Sequence, residues 1–119
     1  MTQDLSHHDI KAFHAHLYYM DEAGVELAKK IAQSASELFD IRVGHFHLKP
    51  VGPHPVWSCQ LSFTTETYGA IVPWLMLNRE SLDVFVHPIT GNDYLDHTQA
   101  VSWLGKSYTL NTSIFTPSY

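Results

Sequence analysis

Histidine is the residue with chemistry to spare in this chain. Nine of the 119 residues are His, and seven of them lie outside the polar leader that holds His7 and His8. In FHAHLYY, Phe13 to Tyr19, His14 and His16 alternate with Phe13, Ala15 and Leu17. VGHFHL repeats the alternation with His45 and His47, GPHP holds His54, DVFVHP carries His87, and His97 follows Asp96. A neutral imidazole offers a lone pair to a metal, and imidazole is also the side chain that gains or loses a proton near neutral pH. Three His, or two His and a carboxylate, with coordination positions left open, suit a metal that must bind a substrate and dioxygen together. Asp83 and Asp96 are the carboxylates best placed to join such a set.

The positions of these residues follow from the elements around them. Residues 1–11 read as a flexible leader and 12–119 as a single domain. Residues 12–19 read as a first strand, and Asp21 as the N-cap of a helix over 22–39. Leu27, Ala28, Ile31, Ala35, Leu38 and Phe39 give that helix an apolar stripe. Val43 to Leu48 reads as a second strand, KPVGPHP as a turn, and Val56 to Phe63 as a third strand. Thr65 or Thr67 caps a second helix that runs to Asn78, with Pro73 predicting a kink or a late start. Ser81 to His87 reads as a fourth strand. The order β-α-β-β-α-β is that of an α+β, ferredoxin-like sandwich, with a predicted strand order of 4-1-3-2. A third helix, 94–104, capped by Asp93 and closed by Gly105, would form a C-terminal helical extension. Residues 106–119 read as irregular.

In this fold the two helices cover one face of the sheet. Parity sends Phe13, Ala15, Leu17, Phe46, Leu48, Trp57, Cys59, Leu61, Phe63, Leu82, Val84 and Val86 toward the helices. His14, His16, Tyr18, His45, His47, Asp83, Phe85 and His87 point the other way, with His54 at the edge of the same face. A bulge in any strand would flip part of this assignment. Strand order brings His14, His16 and His87 together as the tightest group, with His47 and His54 near the GPHP turn. A metal held by three ligands drawn from His14, His16, His54 and His87 is therefore expected. His97 shares a helical stripe with Val101 and Leu104, so it faces whatever the extension packs on. Tyr18 and Phe85 flank the imidazoles and are expected to stack an aromatic substrate. Trp57, Trp74 and Trp103 are expected in the core.

The bulk composition narrows the class. The seven Lys and Arg are scattered and the net charge is −5, so no basic stripe exists for nucleic acid. A single cysteine, Cys59, permits no internal disulfide and fits a reducing, cytoplasmic setting. The leader has no apolar h-region, and YGAIVPWLML falls short of the ~20 residues a membrane span needs.

FHAHLYY, PVGPHP, VPWLMLNRESLDVFVHPITGND and DHT together resemble the DOPA 4,5-dioxygenase family, over Phe13 to Gly105. The pattern carries over at His14, His16, His47, His54, Asn78–Arg79, His87–Pro88 and Asp96–His97–Thr98. Where the family often has LNRGGLSV, this chain has Glu80–Ser81 in place of the glycine pair and Asp83 in place of Ser. His45 lies outside the pattern. The resemblance implies extradiol cleavage of DOPA or a related catechol by O₂ with non-haem Fe(II), Zn or another divalent metal being the alternative. His97 and His47 are in the pattern yet not needed as ligands, so one of them is expected as the acid–base residue, His97 first because its helical stripe would face the sheet as a lid, and Arg79 is expected among the substrate-binding residues. A non-catalytic metal-binding module, or a dimeric α+β barrel in which a homodimer packs two open faces, is the alternative reading.

Overall fold

The computed structural model describes residues 5–115. The expected leader falls partly on residues 1–4, which lie outside the described residues, as do 116–119 of the predicted irregular end. The fold is α+β, built on a five-stranded antiparallel sheet. In chain order its elements are β1 (Ala12–Tyr19), α1 (Glu22–Leu38), β2 (Arg42–Val43), β3 (Trp57–Phe63), α2 (Thr65–Asn78), β4 (Asp83–Ile89), α3 (Asp93–Asp96) and β5 (Ser102–Leu104). The strands lie in the order β2-β3-β1-β4-β5, so the first four have the neighbours expected from the sequence. Among the described residues no helix is long and apolar enough to cross a membrane.

Local chemistry explains most of the boundaries. The Asp21 carboxylate accepts from Gly24 N at 2.7 Å and starts α1. The helix buries Val25, Ala28, Ile31, Ala32 and Ala35 against Ala15, Leu17, Cys59, Leu61, Val84 and Val86 of the sheet. Ile71, Val72 and Leu75 of α2 complete this core. Pro73 sits exposed inside α2, which starts at Thr65 and runs through it, so the late start is not seen. In the first residues described, Ser6 and Asp9 form a capping box around a short 3₁₀ turn, His7–Asp9.

The second strand is shorter than expected. Only Arg42 and Val43 pair regularly with β3. Beyond them Gly44 N donates to Gln60 O at 2.7 Å and His47 N to Ser58 O at 3.0 Å. Three steps along one chain thus oppose two along the other, which is the extra residue of a bulge. The extra residue leaves His47 opposite Ser58 on the imidazole face, and Leu48, expected inside, lies on the helix side beside Phe46 and Trp57 but is 61% exposed where the segment leaves β3.

The helical extension is not formed. The helix α3 ends at Asp96, and residues 102–104 become β5, paired with β4 through Phe85↔Trp103 and Val84↔Leu104. An unpaired β4 edge with Val84 and Phe85 along it is a ready template for another strand, and Ser-Trp-Leu supplies one with Leu104 facing the core. Trp103 therefore lies on the imidazole face, not in the core. Gly105, expected as a helix cap, instead follows β5 with φ +90°, where a Cβ would run into Asp83 and Arg79.

Candidate metal centre

β1 and β4 bring the imidazoles together. Their register sets His14 opposite His87 and His16 opposite Phe85, and His16 lies across from Gln60 on the other side. All three imidazoles leave the sheet on the face away from the helices. His16 and His87 are buried, at 4% and 1% exposure, while His14 is half-buried and keeps one side open. One ligand nitrogen from each of His14, His16 and His87 lies within 4.8 Å of the other two.

Hydrogen bonds assign the lone pairs. The Pro88 carbonyl can only accept, so His87 Nδ1, 2.9 Å away, donates to it and leaves a lone pair on Nε2. The His16 and His87 Nε2 atoms are 3.0 Å apart, and their rings are stacked at an interplanar angle of 13°. Two nitrogens bound at about 2.1 Å and at right angles around one ion would be about 3.0 Å apart. The donor set therefore fits a divalent metal that accepts imidazole nitrogen.

The electrostatics favour the ligating form. Burial, then the neighbouring imidazoles, holds His16 well below its ordinary range. Burial pulls His87 down to about 3, against the opposing effect of its Pro88 bond. His54 falls to about 4 by burial and by His97, His47 and His14. His14 is lowered by burial and by His97, with Asp96 acting the other way. All four shifts favour the uncharged imidazole, the form that metal binding requires.

Further residues ring this set. His54, from the GPHP turn, packs its ring 4.2 Å from His16, and its Nδ1 lies 2.7 Å from the Tyr18 hydroxyl. His97, at the end of α3, packs 4.2 Å from His87 and 4.3 Å from Phe115. Its Nδ1 donates to the Asp93 carbonyl at 2.7 Å, leaving Nε2 with a lone pair. His97 thus reaches the site from a turn, without the helical stripe expected with Val101 and Leu104. His47 is half-buried and its ring packs against His45 at 4.9 Å, on the bulged side of the sheet.

Other expected members lie apart from the imidazoles. Asp83 pairs with Arg79 at 3.8 Å and accepts from Lys106 N and the Tyr108 hydroxyl. Arg79 also donates to the Leu82 carbonyl, so both residues brace the start of β4. Asp96 is fully buried, and its carboxylate accepts from Thr90 N and Oγ1. Neither carboxylate joins the His14, His16, His87 set.

Tyr18 and Phe85 are buried at 2% and 0% exposure. Phe85 stacks on Trp103 at 4.6 Å and on His16 at 5.7 Å, so it backs the site and presents no free face. The sequence reading missed Trp103, Tyr108 and Phe115 as neighbours of the site. Tyr108 packs on Tyr18 and on Trp103, and Asn111 N donates to the Pro53 carbonyl at 2.9 Å. The segment after β5 thus folds over the imidazole face. The alternation of Ser102, Trp103 and Leu104 was the signal for Trp103. Tyr108 and Phe115 carried no periodicity to read. A cavity of about 800 Å³ lies elsewhere, between residues 5–11 and the α3 turn, and is lined by Ile10, Lys11, Pro88 and Leu95 and by none of the clustered imidazoles.

Comparison with known proteins adds independent information. Residues 13–114 match the model of the Dopa 4,5-dioxygenase family. A DOPA 4,5-dioxygenase of Amanita muscaria is 31% identical over 87% of this chain and 49% of its own length. A 21.2 kDa protein of Botryotinia fuckeliana is 34% identical over 87% of this chain and 62% of its own length. The chain thus spans about half to three-fifths of these fungal relatives. The crystal structure of a candidate dioxygenase from Nostoc punctiforme superposes with a TM-score of 0.87 at 38% identity, covering 92% of this chain and 94% of that one.

Proposed function

Because this chain belongs to the Dopa 4,5-dioxygenase family, we propose that it opens the ring of a catechol, DOPA or a relative, with O₂ and a divalent metal, Fe(II) first, at the β1–β4 face. The observation that carries the reading is the convergence of His14, His16 and His87 nitrogens within 4.8 Å. These three residues would hold the metal, and the ferredoxin-like arrangement of β1 to β4 supplies the register that joins them. A metal there would supply open positions for both catechol oxygens and for dioxygen, and a path for electron density between them.

The protein's own contribution is orientation and proton handling. Tyr18, Phe85 and Trp103 form a floor that excludes water beneath His16. The approach lies on the side of the half-buried residues His14, His97 and Phe115. His97 takes the phenolic proton at Nε2, because its Nδ1 is already committed to Asp93. His47 is the second candidate for that role. Arg79, tied to Asp83, acts as a brace for β4. A closed module that only stores metal fits less well, since His14 is half-buried and, among the described residues, no carboxylate joins the three imidazoles.

The test is oxygen uptake. Protein loaded with Fe(II) under nitrogen and mixed with DOPA or catechol is expected to consume one O₂ per ring opened once air is admitted. His97→Ala is expected to keep its iron but lose turnover by ~10²–10⁴-fold, with His47→Ala as the comparison variant. Iron-loaded protein that binds catechols yet never consumes O₂ would refute the assignment.

A further inference from the structure

Three imidazoles near the site hydrogen-bond through Nδ1, and one of the three differs from the other two. His87 and His97 each give Nδ1–H to a backbone carbonyl, of Pro88 and Asp93, which leaves a lone pair on Nε2, that of His87 facing His16 Nε2 at 3.0 Å. His54 meets a hydroxyl instead, with Nδ1 2.7 Å from the Tyr18 oxygen. A hydroxyl can donate or accept, so the tautomer rests on what else the phenol could reach.

Tyr18 and His54 are both buried, at 2% and 8% exposure. Among the described residues, His54 Nδ1 is the hydrogen-bond partner of the Tyr18 hydroxyl. The nearby Tyr108 hydroxyl already donates to Asp83 at 2.7 Å. If His54 Nδ1 were the donor, the phenolic proton would be buried without an acceptor, the costly case for a polar group. If Tyr18 donates, the phenolic proton and His54 Nδ1 are both paired and the proton of His54 resides on Nε2. An imidazole with a proton on Nε2 and its other lone pair engaged has none left for a metal. Consistently, His54 falls outside the group of ligand nitrogens within 4.8 Å, although its ring lies 4.2 Å from His16.

We propose that Tyr18 is a positioning residue: by donating to His54 Nδ1 it holds His54 as the Nε2–H tautomer, beside the three-imidazole set as a hydrogen-bond donor to an anionic oxygen ligand and not as a fourth metal ligand. No proton is transferred in this role. His54 steadies negative charge on the ligand oxygen, and proton removal is left to another group. The proposal rests on the dioxygenase reading only for the identity of that oxygen ligand, a catecholate.

Imidazole-¹⁵N-labelled, metal-free protein at pH 7.5, observed by two-bond ¹H–¹⁵N correlation, reads the tautomer directly. His54, assigned by its absence in His54→Gln, is expected to show a protonated Nε2 and a hydrogen-bonded Nδ1. In Tyr18→Phe the Nδ1 resonance is expected to move toward that of an unbonded nitrogen. Co(II) affinity is expected to stay within about threefold of wild type in His54→Leu, since no ligand is lost. Optical titration of the Co(II) protein with 4-nitrocatechol should then show binding weakened by about 10- to 100-fold in His54→Leu, the worth of a hydrogen bond to a charged group. His54→Gln, which keeps a side-chain N–H, should recover most of that loss. A protonated Nδ1 in wild type, or loss of Co(II) binding in His54→Leu, would overturn the proposal. So would equal 4-nitrocatechol binding by wild type and His54→Leu. If neither wild type nor any variant bound 4-nitrocatechol while the tautomer and Co(II) results held, the catechol reading would fail and the Tyr18–His54 assignment would stand.

Discussion

Replacing His87 by alanine tests the centre at its most constrained member. His87 is 1% exposed, gives Nδ1–H to Pro88 and sets its Nε2 3.0 Å from that of His16. Its removal therefore deletes one of the three convergent nitrogens and leaves the other two in place. Four-ligand protein zinc sites are worth about 10–16 kcal/mol in apparent binding, or about 2.5–4 kcal/mol per ligand if shared equally. The expected loss in Zn(II) affinity is accordingly about 10²–10³-fold. The fold should survive, because the core of Leu17, Leu61, Val84 and Leu75 lies on the opposite face of the sheet. A cavity and an unpartnered Pro88 carbonyl should still lower the stability of the metal-free protein by about 1–3 kcal/mol. Calorimetric Zn(II) titration gives the affinity, urea unfolding the stability, and circular dichroism the integrity of the sheet. A variant that keeps wild-type Zn(II) affinity and stoichiometry would place the centre elsewhere. A variant that loses its native circular dichroism would make His87 a structural residue, with the site argued from it abandoned.

His54 and His87 sit near 4 and 3 in the folded protein, pulled down first by burial, against about 6.5 in an unfolded chain. Below pH 6.5 the unfolded chain therefore binds more protons, and metal-free protein should lose stability as pH falls from 6.5 toward 4, by up to ~1.4 kcal/mol per pH unit for each His; a urea midpoint unchanged between pH 7 and pH 5 would contradict the buried, neutral assignment. Glu80 has φ +53°, where a side chain is strained, so Glu80→Gly should stabilise the protein by about 0.5–1 kcal/mol; a lower thermal midpoint in that variant would show that the Glu80 side chain makes a compensating contact.

The Glu80 conformation bears on how sequence and structure relate here. The resemblance places a glycine pair where this chain has Glu80–Ser81, and the backbone keeps the left-handed turn without the residue that adopts it freely. The alternation around His14 and His16 was legible because period two is strict in a strand whose neighbours on both sides are paired. Strand order then followed from β-α-β-β-α-β, and the β1–β4 register set His14 opposite His87. The same rule gave Leu48 its face but not its exposure, because the segment leaves β3 after the His47–Ser58 bond and no described residue covers Leu48 beside Phe46 and Trp57.

The C-terminal third was misread for a different reason. Asp93 and Gly105 are sound helix-boundary residues locally, but helix propensity is a weak prior that tertiary context overrides. The β4 edge needed a partner, and residues 102–104 were near enough to supply it. That one exchange of helix for strand turned Trp103 onto the imidazole face and carried the chain on so that Tyr108 and Phe115 close over it. Side-chain roles around the site were the least legible feature. His54 and His87 are the same residue type on the same face, and only their Nδ1 partners separate a proposed hydrogen-bond donor from a proposed ligand. A hydroxyl from β1 and a carbonyl from β4 supply those partners, and no spacing of histidines in a sequence encodes that difference.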